Sequence, residues 1–105
     1  MHFPILILSL KMTNETSENS KRIEFSPIFI QKLEKAPAEV KIAFRQALEV
    51  FFEEPNHIAL RNHMLTEKYA GIHSIDVTDD WRALYREEPE RIIFVELGIH
   101  KDLYT

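Results

Sequence analysis

The chain has 105 residues, a formal net charge of −4 and no cysteine, and 45% of its residues are hydrophobic. This length suits a single domain, and the lack of cysteine excludes disulfides and thiolate metal sites. Residues 56–105 carry six basic against nine acidic side chains, and no segment of the chain forms a basic tail or arm. Because neutralising phosphates dominates nucleic-acid affinity, any nucleic-acid site here must rest on a local cluster of Arg and His.

The first twenty residues combine an apolar run, residues 3–10, with a polar run, residues 13–20. Eight apolar residues are too few to span a bilayer, and the run lacks the basic flank and cleavage site of a signal peptide. The polar run is typical of segments that cannot bury enough apolar surface to become ordered. We therefore expect a flexible extension at residues 1–20, a start at Met1 or Met12, a folded domain at residues 21–105, and a cytoplasmic protein.

From residue 21 onward the pattern predicts regular structure. Residues 22–25 alternate between polar and apolar side chains, as in a short strand. Ser26 and Pro27 are the N-cap and first-turn residues that favour a helix start. Pro37 separates this first helix from a second one, which ends in the polar residues 53–56. Apolar side chains recur at helical spacing along both helices and predict two buried stripes. The stripe of the first helix consists of Phe29 and Leu33, and that of the second consists of Val40, Phe44, Leu48 and Phe51.

The C-terminal half is strand-like. Residues 72–77 alternate, residues 81–85 are rich in aromatic side chains, and residues 92–97 form an apolar run after a turn that contains Pro89. The predicted order is strand, helix, helix and three strands (β-α-α-β-β-β). Such an order forms an α+β domain in which two helices pack on one face of an antiparallel sheet.

Candidate chemistry is confined to the same half. Two glycines cannot form a glycine-rich phosphate loop, and neither a metalloprotease motif nor a serine nucleophile elbow is present. What remains is a group of polar residues suited to phosphodiester cleavage in RNA, where His or a carboxylate moves protons and Arg stabilises charge on the phosphate. Its main members are His63, Asp76, Asp80, Arg82 and His100.

Simpler interpretations are open for each of these residues. A lone His is commonly a surface or interface residue, and two adjacent aspartates between strands are a common turn pair. Trp81 and Tyr85 lie on one face of a strand and suit a core at least as well as a platform for RNA bases. Composition and spacing alone therefore predict a small α+β domain with a possible RNA site.

Three segments, in order, resemble the RelE/ParE superfamily of toxins, and most of all its YafQ-like branch. Residues 60–65 (LRNHML) resemble the H-x-L segment after the second helix. Residues 74–85 (SIDVTDDWRALY) resemble the central hairpin, in which an acidic residue precedes a W-R-x-x-Y pattern. Residues 98–104 (GIHKDLY) resemble the C-terminal G-T-H-x-x-L-Y/F signature. The order of predicted elements agrees over residues 21–105.

The resemblance implies a type II toxin that cuts mRNA on the ribosome, without metal or cofactor, and that is held inactive by an antitoxin with which it forms an oligomer. The catalytic positions that it implies are His63, Asp80, Arg82, His100 and Tyr104. Arg82 corresponds to an arginine that stabilises the phosphate in the wider superfamily. We also expect contacts to the substrate from a second group: Asp76, Trp81, Arg86 and Lys101.

The chain departs from the YafQ-like pattern at three places. Asp76 stands where that branch often has a further His, residues 70–73 read Ala-Gly-Ile-His instead of Lys-Gly-Tyr-Arg, and Ile99 replaces a Thr. Two other functions are compatible with the same fold, namely a gyrase inhibitor without nuclease activity and an inactive interaction module. The combination of His63, Arg82 and His100 argues against the gyrase inhibitor.

Overall fold

A computed structural model describes residues 21–103 of the chain. The predicted extension at residues 1–20 and the predicted site residue Tyr104 lie outside this range. The elements, in chain order, are β1 (Arg22–Phe25), α1 (Pro27–Lys35), α2 (Ala38–Glu53), β2 (His63–Met64), β3 (Ile72–Asp76), β4 (Trp81–Glu87), β5 (Arg91–Ile99) and α3 (His100–Leu103). Short 3-10 turns at Ile58–Leu60 and Glu67–Tyr69 flank β2.

The two long helices begin where the sequence predicts. The Ser26 hydroxyl accepts a 3.0 Å hydrogen bond from the backbone N–H of Phe29, and Pro27 occupies the first turn of α1. Pro37 directly precedes α2, which ends at Glu53. Among the described residues, no helix is long and apolar enough to cross a membrane.

The sheet has five strands in the order β1-β5-β4-β3-β2. Strands β2 to β5 pair antiparallel, whereas β1 lies parallel to β5, with Ile23 opposite Ile92. The α+β fold with its two helices is confirmed, but the sheet is mixed instead of wholly antiparallel. The physical reason is that the helices form a long crossover after β1, which returns the chain in the parallel direction. The two-residue strand β2 was not predicted.

The core lies between the helices and one face of the sheet. Its members from the helices are the two predicted stripes, and all six of those side chains are buried. The sheet contributes residues from every strand but β2, chiefly Ile23, Ile75, Ala83, Tyr85 and Phe94. The rings of Phe44 and Phe94 meet edge to face with their centroids 5.5 Å apart, as aromatic pairs prefer.

A bulge in β5 decides which residues reach the core. Tyr85 pairs with Phe94 and Leu84 pairs with Glu96, so Val95 has no partner in β4. One extra residue shifts the alternation of faces by one position. Phe94 and Leu97 therefore both pack in the core, although they are three residues apart, and Gly98 turns to the opposite side of the sheet.

Candidate functional site

The predicted site residues on the strands, apart from Trp81, lie on the face of the sheet away from α1 and α2, which we call the outer face. Cross-strand partners share a face, and Asp76 pairs with Arg82, which pairs with Gly98. His63 pairs with Ser74, two residues before Asp76 on β3, and therefore also points to the outer face. The register thus brings His63, Asp76 and Arg82 to one side of the domain.

Arg82 is largely buried on this face. Its side chain is 9% exposed, and Nη1 donates hydrogen bonds to the backbone carbonyls of Thr78, Asp79 and Trp81. Because these hydrogen bonds join the buried guanidinium to the backbone, Arg82 holds the β3–β4 turn, residues 77–80, in place. Arg82 therefore braces the turn that carries Asp80, and its guanidinium does not present an open surface for a phosphate.

The carboxylate of Asp76 lies between two arginines. Oδ2 accepts a 2.7 Å hydrogen bond from Nε of Arg61, and Oδ1 lies 3.0 Å from Nε of Arg82. The second contact is an ion pair without hydrogen-bond alignment, since Oδ1 is buried and has no hydrogen-bond partner among the described residues. The three side chains together carry one net positive charge, which is a local cationic site in an acidic protein.

His63 is exposed on the two-residue strand β2. Its Nδ1 lies 2.9 Å from the backbone oxygen of Arg61. Because a carbonyl can only accept a hydrogen bond, Nδ1 carries the proton in the neutral ring, and Nε2 is left as an acceptor. His63 can thus bind a hydroxyl or accept a proton through Nε2.

A neighbouring asparagine fixes the segment that carries Arg61 and His63. Nδ2 of Asn62 donates to the backbone oxygen of Pro55 and to the hydroxyl of Tyr85, at 2.9 and 2.8 Å. Burial raises the pKa of the Tyr85 hydroxyl above its ordinary value, and the hydrogen bond from Asn62 partly offsets this. Tyr85 also stacks on His73, with ring centroids 4.7 Å apart.

Asp80 and His100 lie side by side at the end of the sheet. The backbone N–H of His100 donates a 2.7 Å hydrogen bond to the carbonyl oxygen of Asp80, and both residues are exposed. They lie one residue beyond the last pair of β4 and β5, because Asp80 precedes Trp81 and His100 follows Ile99. Two groups able to move protons are thus held on adjacent segments, one in the β3–β4 turn and one at the start of α3.

His63 stands apart from this pair. Three strand spacings, about 14 Å in all, separate β2 from β5 across the outer face. The guanidinium of Arg61 lies one strand closer to Asp80 and His100, because it contacts Asp76 on β3. The structure therefore places the catalytic residues predicted within 21–103 on one side of the domain, with Asp80 and His100 adjacent and His63 at the far edge.

The remaining predicted contact residues are distributed unevenly. Arg86 shares the outer face with Arg82 but lies four residues further along β4, where its Nε pairs with Glu88. Lys101 is exposed on α3. Trp81 alternates with Arg82, faces the helices and packs against the core, which favours the core interpretation of this side chain. Across residues 21–103, no three His, Cys, Asp or Glu side chains are grouped so that they could hold a metal.

Arg61 is the site residue that the sequence did not single out. It adopts a left-handed conformation (φ 46°) after the Ile58–Leu60 turn. The sequence carried no signal for this position, because the contact with Asp76 joins residues 15 positions apart on different elements.

The amino-acid sequence matches no protein-family model and no curated protein sequence. The fold, in contrast, matches solved structures. YafQ from E. coli strain BL21(DE3) superposes with a TM-score of 0.70 at 18% identity, over 82% of this chain and 100% of that one. The YoeB/ParE toxin from Agrobacterium tumefaciens superposes with a TM-score of 0.63 at 16% identity, over 74% and 96%.

The chain has the RelE/ParE toxin fold. A third match is the toxin–antitoxin complex RelBE2 from Mycobacterium tuberculosis, with a TM-score of 0.61 at 20% identity, over 74% of this chain and 95% of that one. YafQ has also been solved in a DinJ–YafQ toxin–antitoxin complex from E. coli. The RelE/ParE fold implied by three short segments of sequence is thus confirmed at the level of the backbone, and structures of YafQ are among those that the chain matches.

Proposed function

We propose that this protein is the toxin of a type II toxin–antitoxin pair and an endoribonuclease that cuts mRNA on the ribosome. The RelE/ParE fold supports the toxin assignment. The single observation that carries the nuclease assignment is the adjacency of Asp80 and His100, which are joined by a 2.7 Å backbone hydrogen bond and exposed at the end of the sheet. A carboxylate and an imidazole at one edge are the groups that acid–base cleavage of RNA needs.

In the proposed reaction, the Asp80 carboxylate takes the proton of a ribose 2′-hydroxyl. The 2′ oxygen then attacks the adjacent phosphorus, and the bond from phosphorus to the 5′ oxygen breaks. Protonated His100 donates its proton to that leaving oxygen, so the products are a 2′,3′-cyclic phosphate and a free 5′-hydroxyl. His63 is the alternative base, because its Nε2 is an exposed acceptor, but its place on β2 favours a role in holding the RNA further along. The proposal keeps Tyr104 as an aromatic contact for the RNA.

An antitoxin is the expected protein partner. The structures that share this fold include toxin–antitoxin complexes, and we propose that the present chain likewise forms an oligomer with an antitoxin. The outer face is then the surface that the antitoxin must cover or distort to block cleavage. The ribosome would supply much of the RNA-binding surface that an acidic toxin lacks, since bulk charge here does not favour RNA.

The experiment combines purified ribosomes, mRNA and the protein, with and without EDTA at a concentration that leaves the ribosomes intact. We expect cleavage that chelation does not slow and 5′ fragments that end in a 2′,3′-cyclic phosphate or its opened form. A fragment with a 3′-hydroxyl, or cleavage that stops with EDTA and returns with Mg²⁺ or Zn²⁺, would exclude the proposed chemistry. Toxicity that arrests DNA replication before translation, with no cut RNA, would instead indicate a gyrase inhibitor.

A further inference from the structure

Of the two arginines that contact Asp76, Arg61 is the accessible one. Its side chain is 67% exposed, whereas that of Arg82 is 9% exposed. The hydrogen bond to Asp76 uses only Nε of Arg61, which leaves the two terminal nitrogens of the fork for a ligand. Guanidinium nitrogens in this arrangement match the oxygens of a phosphate bidentately.

We propose that Arg61 binds an RNA phosphate beside the Asp80–His100 pair, and that Asp76 is the positioning residue that holds Arg61 there. This inference rests on the proposed ribonuclease function, and it transfers the role of phosphate-binding arginine from the buried Arg82 to an exposed residue on the neighbouring segment. The ligand is the negatively charged sugar–phosphate backbone of single-stranded RNA.

The position of Arg61 along the sheet supports this role. Asp76, to which Arg61 is tied, pairs with Arg82, and Arg82 pairs with Gly98, two residues before His100. Two strand spacings, about 10 Å, therefore separate β3, which the guanidinium of Arg61 contacts through Asp76, from β5, which His100 directly follows. An RNA strand that crosses this end of the outer face would meet Arg61 and the acid–base pair in turn.

Asp76 contacts both arginines through its two carboxylate oxygens. It holds Nε of Arg61 at 2.7 Å, and its second oxygen lies against the buried Nε of Arg82. The carboxylate therefore links the exposed guanidinium to the side chain that braces the β3–β4 turn. A flexible arginine that is held at one nitrogen loses less rotamer entropy when it binds a ligand. This explains why an acidic residue can serve at a site for an anion.

The test measures binding separately from cleavage. The probe is a single-stranded 2′-O-methyl RNA oligonucleotide, which cannot be cut because the attacking hydroxyl is blocked, and its affinity for the full-length protein is measured at several salt concentrations. We expect Arg61→Met to lower the slope of log K against log salt by about 0.7, the contribution of one phosphate contact in a single strand. The matched control is Arg45→Met, which removes an exposed charge from α2 on the other side of the sheet and should leave the slope unchanged.

A second pair of variants tests the geometry of the guanidinium. Arg61→Lys keeps the charge but loses the fork, so the salt slope should stay near that of the wild type while the cleavage rate falls about 10²–10³-fold, as for loss of a stabiliser of transition-state charge. Asp76→Asn should lower the cleavage rate in the same way without removing a positive charge. Thermal unfolding of each variant identifies any rate loss that comes from unfolding, because Asp76→Asn also leaves Arg82 without its counter-charge.

The outcomes separate this inference from the proposed function. If wild-type protein cuts mRNA but Arg61→Met and Arg45→Met have equal slopes and rates, the inference about Arg61 is wrong and the ribonuclease stands. If the slope depends on Arg61 but no cleavage occurs on ribosomes, the phosphate site stands and the ribonuclease proposal fails. If the wild-type protein does not bind the oligonucleotide at all, the phosphate site is refuted.

Discussion

The backbone N–H of His100 donates to the carbonyl oxygen of Asp80 across 2.7 Å, and this bond joins the start of α3 to the β3–β4 turn. Residues twenty positions apart are thereby held on neighbouring segments. The bond involves only backbone atoms, so substitution of either side chain leaves it in place. Side-chain chemistry at the two positions can therefore be altered without loss of the geometry that brings them together.

Replacement of either side chain should abolish most of the proposed cleavage. We expect Asp80→Asn and His100→Ala each to reduce the rate on ribosomes by about 10²–10⁴-fold, which is the usual contribution of a general acid or base. Asp79→Asn is the matched control, because Asp79 is also exposed in the same turn and its side chain has no role in the proposed reaction. Equal rates for the Asp79 and Asp80 variants would remove Asp80 from the mechanism.

Substitution of His63 distinguishes the two candidate bases. If Asp80 is the base, His63→Gln should keep most of the cleavage rate on ribosomes, because it removes a residue that only holds the RNA, whereas Asp80→Asn loses about 10²–10⁴-fold. The reverse pattern, with the large loss in His63→Gln and little change in Asp80→Asn, would assign the base to His63 instead.

Gly98 controls the position of α3. A Cβ atom at Gly98 would lie 3.1 Å from Cδ2 of Leu103, which is closer than ordinary contact. We expect Gly98→Val to displace α3, and His100 with it, and to lower the cleavage rate by about 10-fold or more, since small misplacements of catalytic groups are costly. The double variant Gly98→Val/Leu103→Ala should recover much of the rate. No recovery, with the fold intact by circular dichroism, would contradict this steric account.

The loss of folding stability at low pH should depend on Arg91. Hydrogen bonds from Arg91 and Arg22 hold the pKa of Glu24 below its usual value, and those from Arg91 and Arg86 do the same for Glu88. A carboxyl group with a lowered pKa in the folded state stabilises the protein above its unfolded pKa of about 4.3, and this stabilisation is lost as the pH falls through the folded value.

The free energy of unfolding should therefore decline below about pH 4.3, and the decline should be smaller in Arg91→Met than in the wild type. Urea denaturation at pH 6 and at several points down to pH 3 measures both slopes. Arg45→Met again serves as the control. Parallel curves for the wild type and Arg91→Met would show that these ion pairs do not contribute to the acid dependence.

Buried residues of α2 should contribute far more to the free energy of unfolding than exposed residues of the same helix. Phe44 is fully buried and contacts Phe25, Phe29 and Phe94, so Phe44→Ala should lower the free energy of unfolding by about 3–5 kcal/mol. Ile42 on the same helix is 58% exposed, and Ile42→Ala should change it by no more than about 0.5 kcal/mol. Urea denaturation of both variants checks this, and similar losses at the two positions would contradict the observed orientation of α2.

The sequence by itself determined the two long helices, the four longer strands and much of the core. Ser26, Pro27 and Pro37 determine the helix boundaries because capping and the missing proline N–H are local effects. The spacing of Phe44 and Leu48 marks a buried face because a helix repeats every 3.6 residues. The same local patterns, with three short motifs, also indicated the RelE/ParE fold.

The tertiary structure alone decided how the site is assembled. The bulge at Val95 turns Gly98 to the outer face, and a one-residue shift of this kind cannot be seen in an apolar run. Arg61 and Arg82 both contact Asp76, which lies on a different element from either arginine, and one of them is exposed while the other is buried. Long-range pairing sets these contacts, and pairing across a sheet depends on register and twist, which short stretches of sequence do not encode.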